Sequence, residues 1–175
     1  MSISLDLGSG PEPKNPFGAA NVCGVDIVDF GLASVSKCRL GFEPLPFSDA
    51  SFDFASAFDL LEHIPRYSDM APLNNPFIYL MCEIHRILKP NGQFYAQTPA
   101  YPYPTAFSDP THVNIITSDT VRYFASEMTG DGQLIADDRL ALGQRYGFNG
   151  KFTALRNTSS PSFGHQIWLF RKQEA

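Results

Sequence analysis

The sequence predicts a doubly wound α/β domain, a mostly parallel sheet closed by one antiparallel edge pair. Three observations carry that expectation. Short apolar runs punctuated by Gly and Pro alternate with connecting segments up to Thr98, as in parallel strands joined by right-handed crossovers. The run that begins at Pro76 has helical periodicity and lies between two of those strands. Two further apolar runs near the C-terminal end are joined by a short SSPSFG turn, which suits an antiparallel pair.

ISLDL and NVCGVDI are the first two strands, because they are brief, apolar and bounded by turn residues. Between them, Pro11, Pro13 and Pro16 leave room for one helical turn before Val22, so the first crossover helix is expected to be shortened. ASVSKCRL is a weaker strand with Lys37 and Arg39 on its polar side, an edge pattern. SFDFASAF is a further core strand. From Pro76, the positions Phe77, Leu80, Met81, Ile84, Ile87 and Leu88 recur at spacings of three and four until Lys89-Pro90-Asn91-Gly92 stops the helix. QFYAQT is the next strand. The eighteen residues from Pro99 to Ile116 hold four prolines and little regular structure, and a loop of that length in a compact domain is usually functional. Thr117 or Ser118 is placed to cap a helix through about Glu127, and DDRLALGQRY predicts a shorter one. KFTALRN and HQIWLFRK close the chain as strands.

The 175 residues, 43% hydrophobic and 18% charged, fit a single domain over residues 1–175. The net charge of -5 and the scattered Lys and Arg argue against nucleic acid as a partner and for a small molecule. Cys23, Cys38 and Cys82 lack metal-ligand spacing and read as reduced packing thiols in a cytoplasmic protein. No run approaches the ~18 apolar residues of a membrane span, so a soluble chain is expected.

Ligands of such sheets sit outside the carboxyl ends of the strands, which gathers the Leu7 to Gly10 turn, Asp26 and Phe58-Asp59 around one crevice. A dinucleotide reader needs G-x-G-x-x-G and a helix N-terminus to hold a pyrophosphate. Here Pro13 stands where the third glycine belongs, and little helix follows. A ligand with a ribose but no phosphates fits better: the glycines allow close approach, and Asp26 can accept from both ribose hydroxyls. S-adenosyl-L-methionine (SAM) meets that description.

EPLPFSDASFDFASAFDLLEHIPR and CEIHRILKPNGQFYAQTP resemble the class I SAM-dependent methyltransferases, in particular the small-molecule group with an LPF…SFD…EH…RxLKPGG pattern. The resemblance implies a seven-stranded sheet of order 3-2-1-4-5-7-6. It implies Asp6, Gly8, Ser9 and Gly10 around the amino-acid end of SAM, Asp26 on the ribose, Ile27 beside the adenine, and Phe58 and Asp59 near the sulfonium. Leu45, Pro46 and Phe47 read as a structural corner, and Glu62 and His63, on the helix after the fourth strand, divide between a packing and a cofactor-contact role. DPTHVNIIT and RYGFNG resemble a bacterial branch associated with sugar modification, which suggests a sugar hydroxyl as acceptor. Two departures stand out. Arg39 occupies the position where the family has an aspartate that accepts the adenine amino group, and arginine has no acceptor, which leaves the Leu40 N–H as the adenine contact. Met1 stands two residues before the first strand, where relatives carry covering helices, so closure by a homodimer partner is one expectation.

Methyl transfer from a sulfonium mainly requires the acceptor at attack distance. A hydroxyl acceptor also needs a base, and Asp109 and His112, beside Tyr101 and Tyr103, form the candidate catalytic set, with Asp109 orienting His112. The competing reading makes Asp109-Pro110-Thr111 a turn, with His112 bonded to its backbone and the tyrosines packed on the sheet. No metal is expected, because His63, His85, His112 and His165 are dispersed in sequence. Two other functions remain open: a non-catalytic SAM-binding relative, favoured by Arg39, and a nicotinamide-dependent oxidoreductase, disfavoured by Pro13.

Overall fold

Eight strands form one sheet in the computed structural model, which describes residues 1–127 and 138–174. They are β1 (Ile3–Leu7), β2 (Asn21–Asp26), β3 (Val35–Lys37), β4 (Phe52–Phe58), β5 (Leu88–Pro99), β6 (Ala125–Glu127), β7 (Phe152–Ser160) and β8 (His165–Lys172). Their spatial order is β3-β2-β1-β4-β5-β8-β7-β6. Strands β1 to β5 pair in parallel, β8 is antiparallel to both β5 and β7, and β6 adds a parallel edge beyond β7. The expected order is therefore reproduced over seven places, and β6 is an eighth strand.

That eighth strand corrects the helix expected from Thr117 to Glu127. Only Thr120–Tyr123 turns, as a single 3-10 turn, and the chain then extends into β6. The Thr120 hydroxyl accepts from the Thr117 N–H at 3.0 Å, and Phe124 is driven edge-on against Phe77 and Phe148, so aromatic packing overrides local helix propensity. The prolines of the β1–β2 connection act more strongly than expected, since no helix at all forms there. The proline-free β2–β3 connection is also without a helix.

The secure helix is α1 (Pro76–Ile87). Asn75 caps it, accepting from the Ile78 N–H at 3.0 Å, and Pro76 occupies the first turn, where a missing N–H costs nothing. Its apolar stripe of Phe77, Leu80, Met81, Ile84 and Ile87 is buried against Leu5, Leu7, Ala55, Ala57, Phe94 and Ala96. Each of these larger helix side chains contributes about 1.5–3 kcal/mol of burial. Two further helices, the one-turn α2 (Thr105–Ser108) and α3 (Asp138–Arg145), follow β5 and β6. Strand alternation sends Asp6, Phe54, Ser56 and Phe58 to the opposite sheet face. Among the described residues no helix packs there, and the β1–β2 loop provides cover instead: Phe17 stacks on Phe54 at 4.5 Å, and the Lys14 ammonium sits 4.6 Å from the Phe58 ring.

Leu45-Pro46-Phe47 is the structural corner expected of it. The buried Glu83 carboxylate accepts from the Leu45 N–H at 2.7 Å, while Arg86 donates to the carbonyls of Leu45 and Phe47 and to the carboxylates of Glu83 and Asp49.

Candidate active site

The crevice expected to take the cofactor lies at the tips of β1 and β2. Gly8 and Gly10 take φ of +65° and +60°, the left-handed region open to glycine, so the chain reverses directly off β1. The Gly8 and Ser9 N–H groups donate to the Val25 carbonyl at 2.8 and 3.3 Å, tying the turn to β2. Asp26 holds both sides of the crevice, with Oδ2 accepting from the Gly10 N–H and Oδ1 from the Val28 N–H, each at 2.9 Å. Each carboxylate oxygen keeps a second lone pair for a diol. Asp6 lies beneath the turn, 2% exposed, accepting from the Lys14 N–H and the Ser56 hydroxyl at 2.8 Å. Burial holds its carboxyl above the usual range, against the lowering effect of those two donors. Gly24 on β2 is equally constrained, because a Cβ there would meet Ser9 and the Pro13 ring.

A second group of polar side chains gathers past the ends of β4 and β5. Asp59 leaves β4 at φ +49° and its N–H donates to the Gln97 carbonyl at 2.9 Å. Its Oδ1 meets His165 Nε2 at 3.0 Å across 106 residues of sequence. The 3-10 turn Leu61–His63 follows. Glu62, 1% exposed, accepts from the Thr98 hydroxyl through Oε2 at 2.7 Å, and burial raises its carboxyl above the ordinary value. Its Oε1 lies 3.9 Å from both His63 Nε2 and His112 Nε2, whose rings meet edge-to-face at 4.9 Å.

Residues 5–96 match the model of a family described as the methyltransferase domain. The chain belongs to the class I SAM-dependent methyltransferases. No functionally curated protein matches it. Solved structures share its fold. The Haloferax volcanii complex of a methyltransferase with its activator aligns over 99% of this chain and 83% of its own, at 15% identity and a TM-score of 0.59. The Haemonchus contortus phosphoethanolamine N-methyltransferase, in complex with phosphoethanolamine and S-adenosylhomocysteine, aligns over 99% of this chain and 39% of its own (12% identity, TM-score 0.60). The Burkholderia thailandensis 1,6-didemethyltoxoflavin N1-methyltransferase gives 18% identity and a TM-score of 0.51 over 99% and 72%.

Within this methyltransferase the expected site residues fall into two sets. Asp6, Gly8, Ser9, Gly10 and Asp26 meet at the crevice, with Ile27, 61% exposed, at its rim and Phe58 and Asp59 at the neighbouring strand end. Arg39 extends from the end of β3 with its guanidinium 4.0 Å from the Phe42 ring, and Leu40 is buried behind it. The expected Asp109 to His112 pairing gives way to other partners. Asp109 Oδ1 accepts from the Thr111 N–H and hydroxyl at 2.8 and 2.6 Å, bonds that hold its carboxyl below the usual range, while His112 Nδ1 meets the Ala106 carbonyl at 3.3 Å. Asp109-Pro110-Thr111 is thus a side-chain-capped turn, and what faces His112 Nε2 is Glu62. Tyr101 is 58% exposed, and Tyr103 packs beside Gly164 at the β7–β8 turn. Thr98, Glu62 as a buried acid and His165 were missed as site residues. Glu62 and His63 stand in the family motif, but the sequence carries no local signal for partners 36 to 106 residues away. Separately, a cavity of about 830 Å³ opens beside α1, lined by Arg66, Asn75, Tyr123 and Tyr146 among others and by none of the expected cofactor residues.

Proposed function

We propose that this methyltransferase moves the SAM methyl group to a hydroxyl of a small-molecule acceptor, with a sugar as the first class to test. The observation that supports this reading is the convergence, one strand apart, of a diol-ready Asp26 crevice and the polar cluster of Asp59, His165, Glu62, His63 and His112. SAM bound with its ribose on Asp26 and its amino-acid end over Gly8 to Gly10 would present its methyl toward the ends of β4 and β5. Sulfonium is a good leaving group, so attack needs an oxygen held in line and relieved of its proton, which is the task of the polar cluster. Exposure of Tyr101 and Phe107 at 58% and 54% on the following loop suits contact with a small acceptor. The named acceptors of two of the similar structures, phosphoethanolamine and 1,6-didemethyltoxoflavin, are small molecules as well.

No helix among the described residues is long and apolar enough to cross a membrane, and the three cysteines are free, which suits the proposed cytoplasmic setting. Incubation with SAM and panels of sugars, amines and thiols, read by mass spectrometry, tests the reading. It expects one added methylene on a hydroxyl compound together with S-adenosylhomocysteine. Methylation confined to amines or thiols would overturn the hydroxyl assignment. Arg39, which offers adenine no acceptor, favours a second reading, a SAM-binding relative without turnover. Saturable SAM binding with no product across the panels would select it.

A further inference from the structure

We propose that Glu62, His63 and His112 form a three-ligand site for a divalent transition-metal ion, Zn²⁺ in the first instance, with its remaining position open to the acceptor hydroxyl. This inference rests on the methyltransferase reading for the identity of that fourth ligand, but not for the ion.

The argument begins with an orphan. Glu62 Oε1 is buried and has no hydrogen-bond partner, an expensive state for a carboxylate oxygen in a site 1% exposed. The two groups nearest to it are ring nitrogens, His63 Nε2 and His112 Nε2, each at 3.9 Å, too far for a hydrogen bond. All three atoms lie within 4.8 Å of one another. The other ring nitrogens fix what those atoms can do. His112 Nδ1 faces the Ala106 carbonyl at 3.3 Å, and His63 Nδ1 faces the Thr111 carbonyl and hydroxyl at 3.3 and 3.0 Å. A carbonyl can only accept, so Nδ1 carries the proton in both rings and both Nε2 lone pairs turn toward the cluster. With both rings neutral and Glu62 ionised, three acceptors converge with no donor among them, an arrangement suited to a cation.

Ligand chemistry and spacing agree. Two imidazoles and one carboxylate are a set used for catalytic zinc, and donors about 2.1 Å from a tetrahedral ion stand ~3.4 Å apart. Reaching that spacing requires the two 3.9 Å gaps to close by about half an ångström each and the His63 to His112 separation, within 4.8 Å, to close by up to about 1.4 Å, which rotation of the half-exposed His63 ring can supply. The surrounding bonds have the form expected around metal ligands. Thr98 holds Glu62 Oε2, and the Val113 and Asn114 N–H groups both donate to the Glu62 carbonyl at 2.9 Å. Asn114 Nδ2 donates to the Leu61 carbonyl at 3.0 Å and its Oδ1 accepts from Arg66 at 2.6 Å. The two ligand-bearing segments, distant in sequence, are thus stitched together whether or not an ion is bound. His112 is enclosed, with 9% of its side chain exposed, while His63 at 34% leaves one side of the site open.

The ion would do for the hydroxyl what a general base does, by lowering the pKa of the coordinated oxygen. The O–H proton leaves to solvent, the oxygen forms a bond to the methyl carbon as the sulfur–carbon bond breaks, and neutral S-adenosylhomocysteine departs.

The test uses the purified chain stripped with chelator and titrated with Co²⁺ alone, read by its visible absorption, then with Zn²⁺ in competition. SAM binding is measured by calorimetry on the same samples. One equivalent of Co²⁺ with an intense low-symmetry spectrum, displaced by Zn²⁺, is expected. Glu62→Gln and His63→Ala should weaken the ion at least 100-fold and Thr98→Val by 10- to 100-fold, while His85→Ala should leave it unchanged. A cooperative thermal transition and an unchanged circular dichroism spectrum in Glu62→Gln and His63→Ala show that the variants are folded. Failure of the wild-type chain to bind Co²⁺ or Zn²⁺, or binding unaltered by Glu62→Gln and His63→Ala, overturns the site. If SAM binds in those experiments, the methyltransferase reading survives that failure. An ion that binds to a chain with no SAM affinity would leave the site standing and sink the fourth-ligand assignment.

Discussion

Asp26 and Gly24 show how narrowly single residues determine the cofactor crevice. Asp26 bonds Gly10 and Val28 while facing the space where a ribose would lie, so Asp26→Ala should loosen the turn and remove the diol acceptor together. A loss of two charge-assisted bonds predicts at least 100-fold weaker SAM binding by calorimetry. Gly24→Ala acts by volume. The new methyl would lie 2.7 Å from Ser9 Cβ and 2.8 Å from the Pro13 ring, so the loop must move. Overpacking of this kind costs about 1–3 kcal/mol and should appear both as a lower melting temperature and as weaker SAM binding. Arg39→Asp supplies the acceptor that arginine lacks and should tighten SAM by up to about 1.5 kcal/mol; unchanged or weaker affinity in a folded variant would remove Arg39 from the adenine edge. The turn at Gly8 and Gly10 beside Asp26 was legible because turn chemistry is local, glycine tolerating φ near +60°, whereas the close packing of Gly24 on Ser9 and Pro13 was not. His165, Thr98 and the Glu62 to His112 approach were not legible, since each depends on which strands end side by side.

At the scale of elements, α1 carries two features that the periodicity alone did not expose. Arg86 satisfies Glu83, two backbone carbonyls and Asp49 at once, and it is this network that bends Leu45-Pro46-Phe47 into its corner. Arg86→Ala would strand the buried Glu83 carboxylate, a loss of about 3–5 kcal/mol readable by urea denaturation. The second feature is His85, wedged against Phe148, Phe152 and Gly150. Burial, reinforced by the nearby Lys172 ammonium, pushes its pKa down to about 4 from 6.5. In that window the unfolded chain takes up a proton that the folded chain refuses, so stability should fall as pH drops from about 6.5 toward 4. The fall should be shallower in His85→Ala, and an identical pH profile in the two proteins would contradict this account of His85. The helix itself was readable from the spacing of its apolar residues and from the Pro90 and Gly92 that follow it. The segment after Thr117 was misread because Phe124 gains more from Phe77 and Phe148 than local propensity offers a helix.

On the scale of the whole molecule, the sheet has, among the described residues, one face packed by α1 and another, around the Gly8 to Asp26 crevice, covered by a proline-rich loop with no helix. The strand order was legible through the methyltransferase resemblance, while the alternating runs and the terminal hairpin by themselves indicated a doubly wound sheet with an antiparallel edge pair. The helix-free β1–β2 crossover was only half legible: its prolines forbade a long helix, but nothing local indicated that Phe17 and Lys14 would take over the packing on Phe54 and Phe58. A loop held by so few contacts should exchange its amides faster than β5 and β8, and SAM should slow exchange in residues 8–14 while leaving α1 unaffected. Protection confined to α1 would instead move the ligand to the cavity beside that helix. The central claim, that the Gly8 to Asp26 crevice is made for SAM, is tested most directly by calorimetric titration of the purified chain with S-adenosylhomocysteine and with NAD. The account predicts saturable binding of S-adenosylhomocysteine that Asp26→Ala abolishes, and no heat from NAD; NAD binding with S-adenosylhomocysteine silent would contradict it.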